Sequence, residues 1–88
     1  MENKRLELNA IDEQMRVLFE QRLDIVKEIG LYKLENDIPI YVQARELEII
    51  KNNLAKLNDQ SYAEYYEEFI KFQMDISKDL QAKIIKSK

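Results

Sequence analysis

Apolar residues recur along the first third of the chain at Leu8, Ile11, Met15, Leu18, Ile25 and Ile29. Steps of three, four and seven residues put these side chains on one face of a helix turning by about 100° per residue. Phe19, Leu23 and Val26 widen the stripe on one side. No proline interrupts the run from Glu2 to about Asn36, so the pattern predicts a helix of about 33 residues, roughly 50 Å long. Asn36-Asp37-Ile38-Pro39 ends it: turn formers lead into a proline that disfavours helix at Ile38. A second helix is predicted from about Val42 to Leu57, carried by Leu47, Ile50, Leu54 and Leu57. Asn58-Asp59-Gln60-Ser61 forms the next break. Asp59 or Ser61 caps a third helix there, and Glu64 stands where a capping box with Ser61 needs it. That helix runs to about Lys86 with an apolar arc of Tyr62, Tyr66, Phe69, Ile70, Ile76, Leu80 and Ile84. No useful period-2 alternation predicts a strand. The fold class is all-α, with one long, one short and one medium helix in a single domain over residues 1–88.

The lengths conflict. A second helix of about 24 Å cannot cover a partner of about 50 Å, so an isolated chain leaves much of the long stripe wet. Two chains packed along their first helices would cover it, and a symmetric homodimer is the commonest such solution. Gly30, which costs about 1 kcal/mol in a helix interior, either permits a close backbone approach between the two paired chains or marks tolerance near the helix end.

Some polar residues sit where a helix normally buries apolar ones. Arg22 and Lys33 are eleven positions apart, about 20° in helical phase and roughly 16 Å along the axis. Two long cations on a buried face are expensive unless something anionic meets them. Ser77 and Gln81, one turn apart, lie inside the apolar arc of the third helix. Glu46 lies on the apolar side of the second helix beside Leu47 and Ile50. Each of these three, taken alone, reads as an ordinary partly buried polar residue. The phase of Arg45 points it to solvent, and Arg5 reads as a surface arginine at the edge of the first stripe. Lys83, Lys86 and Lys88 at the carboxyl end suit the helix dipole.

Composition narrows the chemistry. The 14 basic and 17 acidic residues give a net charge of −3, which is not the basic footprint of a nucleic-acid binder. Without cysteine or histidine, disulfides, thiol chemistry and the usual metal and proton-shuttle ligands are not expected. No apolar run approaches the roughly 18 residues of a membrane span, and the charged amino terminus is not a signal peptide. The expectation is a cytoplasmic protein without cofactor, metal, nucleic-acid or membrane partner.

Ile11-Asp12-Glu13-Gln14, Gln21-Arg22, Val26 through Lys33, Pro39-Ile40-Tyr41, Arg45-Glu46 and Ser77-x-x-x-Gln81 follow one another at consistent distances across three helices. In that ordered series the chain resembles the all-helical, AroQ-type chorismate mutases over nearly its whole length. The resemblance implies an intertwined homodimer of three-helix chains and the cofactor-free rearrangement of chorismate to prephenate, in aromatic amino-acid biosynthesis. It further implies that Arg22 and the partner chain's Arg5 grip the substrate carboxylates, with Arg45 a further active-site arginine. That reading of Arg45 replaces the solvent-facing one. Lys33 and Gln81 match the pair that hydrogen-bonds the ether oxygen whose bond breaks. Glu46 matches the acceptor for the substrate hydroxyl, and Ser77 a minor contact near a carboxylate. The family usually has an aspartate three residues before the Arg-Glu pair, where this chain has Val42, which leaves Glu46 alone for the hydroxyl.

Such chemistry suits these residues. Chorismate carries two carboxylates, which arginine forks meet bidentately. A concerted sigmatropic shift requires no nucleophile, metal or proton transfer, so the lack of histidine and cysteine is no handicap. The alternatives are an isochorismate-pyruvate lyase of the same fold, against which Glu46 argues, and a non-catalytic helical dimerisation module. In such a module the buried polar residues only set pairing register.

Overall fold

The computed structural model describes residues 1–86; Lys88 lies outside them. Three α-helices form, α1 (Glu2–Glu35), α2 (Gln43–Ala55) and α3 (Ala63–Lys86), with a 3-10 turn over Gln60–Tyr62 leading into α3. The described residues contain no strand. α1 and α2 each pack against α3, giving an elongated body of 50 × 25 × 14 Å.

The chain leaves α1 through a Schellman turn. Ile38 N–H donates to Lys33 C=O at 2.9 Å and Asp37 N–H to Leu34 C=O at 3.5 Å. Asp37 supplies the left-handed residue (φ 55°), a conformation that Asp adopts more readily than bulkier side chains. Asn36 Nδ2 adds a bond to Tyr32 C=O at 2.8 Å. Val42 stands at the N-cap of α2, where its side chain has no oxygen to offer the free N–H groups. Gln60 Nε2 closes the far end of α2 on the carbonyls of Leu54 and Leu57, both at 2.9 Å.

The entry to α3 differs from the expected capping box. Asp59 is the acceptor, taking the N–H of Ser61 at 2.9 Å and also its hydroxyl. Ser61 is therefore a donor rather than the cap, and its two bonds hold the Asp59 carboxyl below its usual value.

The core is small. Val26, Ile70 and Met74 are the buried apolar side chains among the described residues, joined by Gly30 and Gln81. The first stripe is wet, as the length argument anticipates: Leu8, Ile11, Met15, Leu18, Ile25 and Ile29 are all exposed, Leu18 by 61%. On its widened side Val26 is buried and Leu23 half-buried, while Phe19 is exposed. Leu47 is exposed as well, and the half-buried Ile49 faces inward instead. Tyr62 and Phe69 of the third arc are also exposed, and burial centres on Ile70, Met74 and Gln81.

Two bulk quantities agree with that. A compact chain of this length has a radius of gyration near 12 Å, against 15.9 Å here. A folded monomer of this mass exposes about 5,500 Å², and this chain exposes 7403 Å².

Candidate active site

The cap that ends α1 also fixes its last site residue. Lys33 gives its backbone C=O to Ile38 N–H, and its Nζ crosses the same turn to donate to Ile40 C=O at 3.2 Å. One turn thus holds both ends of the residue.

Arg22, ten residues towards the amino terminus of α1 from Tyr32, meets α3 through Ser77. Its Nη1 donates to Ser77 Oγ at 2.5 Å, and Ser77 Oγ donates in turn to Gln73 C=O at 2.9 Å. Partial burial pulls the Arg22 guanidinium below its ordinary value, yet an arginine stays charged in any protein setting.

Gln81 reaches furthest inside and is 5% exposed. Its Nε2 donates to Val26 C=O at 3.1 Å, which uses one of two amide hydrogens. The approach is possible because Gly30 has no side chain: a Cβ there would meet Gln81 Cγ at 3.0 Å. The close approach at Gly30 is thus that of a side chain from another helix of the same chain, not the backbone approach between paired chains that the sequence suggested.

These elements enclose a cavity of about 350 Å³ among α1, α2 and α3, within the size range of small-molecule sites. Arg22, Lys33, Arg45, Glu46, Ser77 and Gln81 all line it. Six residues drawn from three helices and flagged in the sequence thus share one space. Arg45 is exposed, as its phase predicts, and still lines the cavity from the first turn of α2.

Arg5 is not among them. It lies in the first turn of α1, its side chain 70% exposed and 3.9 Å from Glu2 Oε1. Seventeen residues separate it from Arg22, about 25 Å along a helix.

A second, more apolar cleft of about 560 Å³ opens beside Arg22, between the middle of α1 and the first half of α3. Met15, Leu18, Phe19 and Phe69 form much of its wall.

One lining residue escaped the sequence pattern. Lys78 follows Ser77 and so points about 100° away from it on α3. Three residues after Asp75, it looks like half of an ordinary surface pair. Only the packing of α2 on α3 brings Glu46 to it: Nζ lies 3.2 Å from Glu46 Oε2 and 3.6 Å from Asp75 Oδ1. It also sits 4.4 Å from the centre of the Tyr41 ring. Burial alone would lower the Lys78 ammonium, but its bonds and charges with Glu46 and Asp75 outweigh that and raise it.

The electrostatic arrangement is therefore uneven. Arg22 is tied to a hydroxyl and Lys33 to a carbonyl, while Arg45 makes no ion pair among the described residues. Three cations line the space without a carboxylate to neutralise them. Glu46 is the one carboxylate of the lining, and Lys78 holds it. No group of three or more potential metal ligands occurs among the described residues.

Residues 4–82 match the family model for chorismate mutase type II. The chain belongs to that family. It is the all-helical class of isomerase that converts chorismate to prephenate. No curated protein and no solved structure matches the chain. Among the described residues, no helix is long and apolar enough to cross a membrane.

Proposed function

We propose that the cavity bounded by Arg22, Lys33, Arg45, Glu46, Ser77 and Gln81 is the place where chorismate rearranges. The observation that carries this reading is the set of three unneutralised cations around one space. Family membership favours the mutase reaction over the lyase and over a purely structural module.

Each residue then has a part. Arg22 grips a substrate carboxylate, its guanidinium held in place by Ser77. Arg45 adds a second guanidinium at the mouth. Chorismate reacts by breaking its ether C–O bond as a C–C bond forms, with the electrons moving round a ring of six atoms and no proton transferred. Negative charge grows on the ether oxygen as the bond stretches. Lys33 Nζ and the second N–H of Gln81 Nε2 are the donors to that oxygen. Being fixed beforehand by Ile40 and Val26, they need little reorganisation when the charge appears. Glu46 accepts from the substrate hydroxyl. Binding both carboxylates and the hydroxyl at once selects the folded conformer in which the reacting carbons approach.

The working form is a homodimer of a single helical domain over residues 1–88, operating in the cytoplasm, a setting in keeping with a charged, cysteine-free chain. Its surface supports this reading: the excess over a compact monomer is on the order of 1,900 Å², comparable to one partner's share of a large obligate interface. The apolar cleft beside Arg22 receives the amino-terminal half of the partner's α1, and that helix delivers the partner's Arg5 to the substrate.

A direct assay of chorismate loss and prephenate formation tests the reading, with isochorismate offered separately. Prephenate from chorismate is the expected product. Pyruvate release from isochorismate, without prephenate from chorismate, would replace the mutase by a lyase. A bicyclic transition-state mimic should also raise the melting temperature by mass action, which a dimerisation module would not show.

A further inference from the structure

Among the cations lining the cavity, Lys78 has carboxylate partners. Glu46 Oε1 and Oε2 lie 3.3 and 3.2 Å from its Nζ, and Asp75 Oδ1 lies 3.6 Å away on the same helix. The Tyr41 ring covers another side of the ammonium at 4.4 Å. Two carboxylates and a ring surround a group with three donors, so little of its charge is left for a dianionic substrate.

Glu46 faces the opposite difficulty. It is a carboxylate in a cavity built for a doubly negative guest, with its side chain only 22% exposed. Left alone there, it would repel the substrate and turn towards water. Its own helix contributes Arg45 to the lining, and α1 contributes Arg22 and Lys33. None of these three is paired with it. The contact that holds it is Lys78.

We propose that Lys78 is a positioning residue for the rearrangement: it screens Glu46 and aims its carboxylate at the substrate hydroxyl without gripping the substrate itself. Tyr41 and Asp75 hold Lys78 in that office. Tyr41 also follows Ile40, whose carbonyl Lys33 ties down, so both lysines contact that segment. This role rests on the mutase reading of the cavity and on Glu46 as the hydroxyl acceptor.

A four-way comparison of the full chain, K78M, E46Q and K78M/E46Q tests it by steady-state kinetics with chorismate. Loss of a part-exposed ion pair is a modest effect, so K78M should raise KM about fivefold. Its kcat should change less, because Lys33 and Gln81 stay in place. K78R, which can still pair with Glu46, should return KM to near the wild-type value. In the E46Q background, K78M should add nothing, since its effect passes through Glu46.

An equal rise in KM in both backgrounds would show Lys78 acting on the substrate directly and would overturn the proposal. An unchanged KM in a folded K78M would overturn it too. If K78M loses its helical circular dichroism, K78Q enters the same cycle with the same expectations. A wild-type chain that leaves chorismate untouched removes the mutase reading itself, and this role with it; an active wild type with an indifferent K78M removes only the role.

Discussion

Gly30 and Gln81 are fitted to each other: a Cβ on Gly30 of α1 would stand only 3.0 Å from the Gln81 Cγ of α3. Gln81 cannot swing aside freely, because it is buried and its amide is bonded to Val26 C=O. G30A gains about 1 kcal/mol of helix propensity and pushes Gln81 by a few tenths of an ångström. Displacing a positioned group by about 1 Å costs on the order of 10²-fold in rate. The smaller shift here should lower kcat/KM about tenfold while the melting temperature changes little. Unaltered kinetics would show that Gln81 is not placed against the reacting atoms.

Lys33 should be the most sensitive position. Removing one preorganised donor to a developing oxyanion costs about 10²–10³ in kcat, so K33A should fall at or beyond that range with its helical content intact. K33R should fail similarly, since a planar fork does not replace a compact ammonium at the same point. Full activity in K33A, measured by prephenate formation, would refute the assignment.

Sites assembled from two chains allow complementation. R5A and K33A should each be impaired alone. Mixed after mild denaturation and refolding, the proposed dimers should form hybrids in which one site receives both Lys33 and the partner's Arg5. Activity should then return in part. Mixtures no more active than their components would place Arg5 outside the site.

The exposed stripe of α1 makes a separate prediction about assembly. Leu18, 61% exposed in one chain, borders the apolar cleft beside Arg22. A single folded chain should accept L18E with little change. As a dimer contact it should shift sedimentation to the monomer and abolish turnover. A wild-type chain that sediments as a monomer while active would end the dimer proposal.

Val42 leaves the start of α2 without a side-chain cap. V42D should supply one, worth about 1 kcal/mol, and raise the melting temperature by roughly 4–8 °C for a domain of this size. The comparison needs equal protein concentrations, because the stability of a chain that pairs as proposed would depend on them. A melting temperature at or below that of the wild type would show that the vacant cap costs nothing.

The sequence by itself determined the three helices, their stops and the all-α class, because helical periodicity and turn chemistry are local. It also marked Arg22, Lys33, Glu46, Ser77 and Gln81 as polar residues out of place on apolar faces, while Arg45 and Arg5 gained meaning only through resemblance to a family. Tertiary structure alone decided which side of α1 meets α3, drawing Val26 inward and leaving Leu8 through Ile29 of the stripe exposed. It also decided that Gly30 answers to Gln81 and that Asp59, not Ser61, takes the cap. Lys78 shows why: its pattern is that of a surface residue, and its partner Glu46 lies 32 positions away in sequence. A contact of that kind is set by how two helices cross, which no periodicity within either helix records.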